Sequence, residues 1–184
     1  MRSNRNFLLI FLLLIVVAAA CRIFGFAPQL SMALFAGAII NDKKWAFAFP
    51  IFSMIICDLA YQFLYLKGLT TLPGFYQGQI TNYVLFAGLV VVGFFMKKVS
   101  IVNVVAFSLI ECVLYFIFSN FFVWAFGGGW DRPKTFPGMI QCYVDALPFF
   151  GNSILSTLVC SGILFGTYQF LKSEHSIPAS LASK

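Results

Sequence analysis

Charge is what this sequence has least of. Asp, Glu, Lys and Arg together make 10% of its 184 residues, where a water-soluble domain carries about 25%. That shortage excludes a soluble globule, because there is too little polar surface to clothe one. Histidine is scarce too. The single His175 stands near the C-terminal end, so no Ser-His or Cys-His pair can be built in the rest of the chain. The five cysteines, at positions 21, 57, 112, 142 and 160, form no C-x-x-C pair, which excludes a metal knuckle and a disulfide framework and leaves them as small apolar packing residues. The sequence also lacks H-E-x-x-H, a phosphate-binding glycine loop and any internal repeat. These absences predict a protein that is not an enzyme, binds no metal and needs no cofactor. The net charge is +6, but its basic residues are scattered between apolar runs, so nucleic acid is not an expected partner.

What fills the sequence is hydrocarbon: 61% of residues are hydrophobic and 18% aromatic. Apolar runs fall at about 7–26, 28–41, 45–66, 80–96, 101–126 and 147–171, and a spanning helix needs about 20 residues. The pattern predicts an all-α membrane protein, one polytopic domain over residues 1–184, with six transmembrane helices. The second run is short, and Pro28 suits its first turn, where a missing N–H costs nothing. The stretch PGMIQCYVDALPFF is expected to start as a surface helix and turn into the last span at Pro148.

Basic residues set the orientation. With the N-terminus inside, the inner segments hold Arg2, Arg5, Lys43, Lys44, Lys97, Lys98, Lys172 and Lys184, and the outer ones Lys67, Arg132 and Lys134. Eight against three is the bias of inward-facing loops. It predicts a multi-pass protein of the plasma (inner) membrane, in contact with lipids, with both termini cytoplasmic. The run VVAAACRIFG resembles a lipoprotein cleavage site at Cys21, but Ala18 stands where a larger aliphatic residue is wanted. An uncleaved first helix is expected.

Ionisable residues inside spans are costly and usually functional. Here they are Arg22, Asp58 and Glu111, with Asp145 just before the last run. A rise of about 1.5 Å per residue assigns Arg22 and Asp58 to the outer half and Glu111 to the middle. The expected site is an outer polar pocket lined by Arg22, Asp58, Asn82, Asn120, Tyr143 and Asn152, receiving a small-molecule solute. Arg22 would neutralise an anionic group or be held by Asp58, with Asp145 its second partner. The alternative is a structural pair that fixes helix register. Small residues at Ala33 to Ala38, and at Ser153, Thr157, Ser161, Gly162 and Gly166, suit close packing within the bundle or against another membrane subunit.

Two stretches carry a resemblance: MALFAGAIINDKKWAFAFPIFSMIICDL, and the long run from Ser119 that includes N-x-x-x-W and C-Y-x-x-x-x-P-F-F-x-N. With Arg22, Pro50 and Asp58, these resemble an uncharacterised bacterial family of six-span membrane proteins filed as a domain of unknown function. Family members often carry an acidic residue soon after the asparagine of the last motif, where this chain has Ser156. The family is similar, more loosely, to the substrate-binding S-components of energy-coupling-factor (ECF) vitamin transporters. That resemblance implies an S-component-like bundle with both termini inside and a ligand pocket near the outer face. It also implies docking on a transmembrane coupling subunit driven by ATPases. The S-components' alanine pair, four residues apart in the first helix, is unmatched, since Ala18 meets Arg22 at that spacing.

Overall fold

The structure, a computed structural model, describes residues 28–71, 73–127 and 132–174. The expected first span, 7–26, and with it Arg22 and Cys21, lie outside the described residues. Among the described residues there are five helices and no strand: α1 (Gln29–Ile39), α2 (Lys43–Leu66), α3 (Gln79–Phe94), α4 (Ile101–Phe126) and α5 (Phe136–Glu174). Three of them, α2, α4 and α5, are long and apolar enough to cross a membrane, whereas α1 and α3 are shorter apolar helices.

Local signals start and stop these helices. Asp42 caps α2 by accepting from the Lys44 N–H at 2.9 Å, and Ser100 caps α4 by accepting from the Asn103 N–H at 3.2 Å. Each satisfies one of the orphan donors of a first turn. Gly127 ends α4 at φ 74°, in the left-handed region where glycine carries no Cβ penalty. The last helix corrects an expectation. The surface helix expected from Pro137 and the span expected from 147 are one helix, continuous through Pro148. Its start follows from Thr135, whose hydroxyl accepts from the Gly138 N–H at 3.3 Å, with Pro137 in the first turn. At 39 residues it is roughly 58 Å long, well beyond a hydrocarbon core of about 30 Å.

The shortest helix is the central one. Every α1 residue from Leu30 to Gly37 is buried, and α1 packs against α2, α3, α4 and α5. A helix apolar on all sides belongs in such a position. Its contact with α3 is backbone on backbone. A Cβ added to Gly37 would collide with the Val90 carbonyl oxygen and stand 3.0 Å from the Gly93 Cα, and one added to Gly93 would stand 2.6 Å from the Leu34 oxygen. Small residues permit this approach.

The outside of the bundle is the reverse of a soluble surface. Phe52, Leu59 and Phe63 on α2, Val102 and Ile110 on α4, and Phe149, Leu155 and Ile163 on α5 are all exposed. A continuous apolar exterior on this scale marks a surface meant for another apolar medium. The two ends of the bundle also differ. Lys43 lies 5.8 Å from the centre of the Phe94 ring, which brings the start of α2 to the end of α3, beside exposed Lys97 and Lys98. The Gln169 amide donates to the Val99 carbonyl at 3.2 Å, so α5 finishes at this same lysine-bearing end.

Candidate functional site: a polar cavity beneath the loop between α2 and α3

At the opposite end, α2 gives way to α3 through the loop 67–78. Asp58, 5% exposed, lies two turns before α2 finishes. One of its carboxylate oxygens accepts from the Gln79 amide and from the Tyr83 hydroxyl, each at 2.6 Å. Gln79 and Tyr83 are four residues apart, hence on one face of α3, and the amide also donates to the Tyr83 oxygen at 2.9 Å. A buried polar network with its members bonded to one another is rigid, so this network ties α2 to α3.

The loop folds back over the network. The Gln62 side-chain oxygen accepts from the N–H groups of Gly74 and Phe75 at 3.1 and 3.4 Å, and Gln79 donates to the Gly74 carbonyl at 3.3 Å. Only glycine fits at position 74. A Cβ there would run into the Asp58 carbonyl oxygen and lie 2.9 Å from the Gln62 Cβ.

Beneath the loop is a cavity of about 180 Å³, to which every described helix contributes: Gln29 and Leu30 from α1, Met54 and Asp58 from α2, Asn82 and Phe86 from α3, Tyr115 from α4, Ser153 and Thr157 from α5. Tyr76 of the loop completes it. A second, wider crevice of about 480 Å³ lies between the loop, α3 and α4, lined by Thr81, Ser119, Phe122 and others. Three side chains line both spaces: Tyr76, Asn82 and Tyr115. They are hydrogen-bonded to one another. The Asn82 amide donates to the Tyr76 oxygen at 2.7 Å, and the Tyr115 hydroxyl donates to the Asn82 oxygen at 3.3 Å. They therefore form a partition between crevice and cavity, made of groups that can exchange these bonds for bonds to water or a ligand.

Of the residues expected at the site, Asp58 and Asn82 meet in this cavity. Asn120, Tyr143 and Asn152 do not line it. The Asn120 amide donates to the Phe116 carbonyl at 2.7 Å and the Tyr143 hydroxyl to the Ile117 carbonyl at 2.7 Å, so both are engaged with the backbone of α4. Asn152 is exposed. Arg22 is outside the described residues. Asp145, the second partner expected for it, is ion-paired with Arg132 and also accepts from Gln141 at 2.8 Å. Cys57, Cys112, Cys142 and Cys160 are buried, and no group of three or more His, Cys, Asp or Glu that could hold a metal occurs among the described residues.

A second polar feature lies deeper, between α4 and α5. These helices run antiparallel. The Ser108 hydroxyl donates to Ser161 at 2.9 Å, and the Cys112 thiol contacts the Ser153 carbonyl at 3.8 Å. Further along, the Cys142 thiol meets the Asn120 carbonyl at 3.6 Å. Between the first two contacts is Glu111, 0% exposed, and neither of its carboxyl oxygens has a hydrogen-bond partner among the described residues.

Three helices long and apolar enough to cross a membrane, an apolar exterior and a small polar chamber are consistent with a helical membrane protein. Within that class the chain belongs to the family of unknown function DUF6580, whose pattern matches residues 2–180. No curated protein and no solved structure matches it.

Proposed function

We propose that this protein is a solute-binding or uptake subunit of the plasma membrane, resembling an ECF S-component. It crosses the membrane six times with both termini in the cytoplasm. The observation that carries this reading is the cavity. A membrane bundle minimises buried polar groups, yet here Asp58, Asn82, Tyr76, Tyr115, Gln29, Ser153 and Thr157 converge on one chamber of about 180 Å³. A small solute would enter from the crevice by displacing the Tyr76–Asn82–Tyr115 hydrogen bonds. Orientation draws support from the lysines at the end opposite the cavity, which by the bias of inward-facing loops makes the cavity end the outer one. A transmembrane coupling subunit with ATPases would then draw on the lipid-facing surface.

A second reading, a non-transporting subunit of an envelope complex, is favoured by one specific observation. Gly162 and Gly166 stand four residues apart on α5, and a Cβ at either would meet nothing among the described residues. They therefore serve no close approach among the five described helices, and they suit a further helix of another subunit.

Native mass spectrometry on full-length protein, gently extracted from its host, separates the two readings. Uptake predicts a small molecule retained at one per chain, lost from the Asn82→Leu variant while that variant still elutes as a folded species. A chain bound to other membrane proteins, with no small molecule in either form, would refute the solute reading.

A further inference from the structure

We propose that Glu111, which does not itself line the polar cavity but lies one helical turn below its wall at Tyr115, is a proton-binding site. It holds a proton on its carboxyl and exchanges it with water in that cavity. The inference is independent of whether the cavity also takes a solute.

Three observations carry it. The first is burial without a partner: the side chain is 0% exposed and both oxygens lack a hydrogen-bond partner among the described residues. A carboxylate in that state is far more costly than the neutral acid. Second, among the described residues the groups around it supply no cation. Nearest its level, the titratable residues on the surrounding described elements are Cys112 and Tyr115 on α4 itself, Tyr83 on α3 and Cys160 on α5, with Asp58 of α2 across the cavity, while Tyr168 of α5 lies toward the lysine-bearing end against Phe35. Helix α1 has no titratable residue. Cys142, Tyr143 and Asp145 of α5 lie further out, beside Asn120, Ile117 and Arg132, and the lysines Lys43, Lys44 and Lys172 are exposed.

The third observation is a route. Tyr115, one turn beyond Glu111 on the same face of α4, lines the cavity, as does Thr157. The Ser108–Ser161 and Cys112–Ser153 contacts bracket Glu111 and place it at the level of Ser156 and Thr157 on α5. Thr157 donates to the Ser153 carbonyl at 2.8 Å, and the Cys112 thiol lies against it. In the exchange the carboxyl O–H bond breaks and the proton passes to water in the cavity. The carboxylate left behind is received by the hydroxyls of Thr157 and Ser108, which rotate to donate to it. The reverse step restores the acid, so no other reactant is needed.

The test is infrared difference spectroscopy on the full chain in lipid nanodiscs. Wild type should show the carbonyl stretch of a protonated carboxylic acid at neutral pH, fading as pH rises and shifting in deuterium oxide. Glu111→Gln should lack that band. An identical spectrum for wild type and Glu111→Gln overturns the proton site. Thr157→Val keeps Glu111 and removes one donor to the carboxylate, so the midpoint at which the band fades should move up by about one pH unit. This second variant decides the matter even where Glu111→Gln does not fold. An unmoved midpoint overturns the connection to the cavity.

Discussion

Among the described residues two carboxyl groups are buried in this bundle, and their surroundings are opposites. Asp58 is 5% exposed and Glu111 is 0% exposed, so burial alone barely separates them. Asp58 accepts two hydrogen bonds of 2.6 Å from neutral donors on a neighbouring helix, while Glu111 accepts none among the described residues. An ionised carboxylate moved into a low-dielectric interior costs tens of kcal/mol on an idealised estimate. Hydrogen bonds from partners such as Gln79 and Tyr83 return about 1.5–3 kcal/mol each. Asp58 is therefore built into the join between α2 and α3. Glu111 adds nothing to the join between α4 and α5, which is made by Ser108, Ser161 and Cys112 around it. The lesson is that a buried acid holds a fold only through its partners, and one without partners is free for another task.

The largest effect should come from removing the partnered acid. Asp58→Ala leaves the Gln79 amide and the Tyr83 hydroxyl facing a hole, and it should cost about 3 kcal/mol. Thermal unfolding in mild detergent measures it, and an unchanged midpoint would erase the contrast between the two sites. Tyr83→Phe removes one of the two donors and should cost about 1.5 kcal/mol. Combined with Asp58→Ala, that penalty should largely vanish, which a double-mutant cycle reads directly. The smallest effect belongs to Glu111→Met, which replaces an unpartnered acid by an apolar side chain of similar length. Its unfolding midpoint should equal or exceed that of wild type, shifted by less than about 1 kcal/mol. A loss as large as that of Asp58→Ala would mean that Glu111 is a structural acid after all.

Much of the helical layout was legible because long apolar runs leave few choices. The run at 101–126 matches α4 residue for residue, and the other described elements begin within three residues of expectation except the last. There Pro148 reads as a boundary, since proline removes one donor and crowds the preceding turn. The structure tolerates it, so the surface helix expected from Pro137 and the last span are one element. The site was legible only in depth. A rise per residue tells how far Asn120 and Tyr143 lie along α4 and α5, but not which way each faces, and both turn out to be bonded to nearby carbonyls of α4. Gln79, Tyr83, Tyr76 and Tyr115 were not among the expected site residues, since depth alone does not separate them from equally uncharged residues such as Asn120 and Asn152. The i, i+4 spacing of Gln79 and Tyr83 at the head of an apolar run was the available signal.

The glycine contact between α1 and α3 has a consequence for motion. With Gly37 and Gly93 touching backbone to backbone, those two helices have no side-chain layer to slide on, and interiors so tightly packed resist deformation. They form a fixed spine. Any breathing of the chamber at their N-terminal ends must come from the elements hung on that spine: the loop that carries Tyr76, or the paired helices α4 and α5 swinging as one arm. A spin label on the loop and another on α4 would therefore report changing distances, while a pair placed on α1 and α3 would stay still.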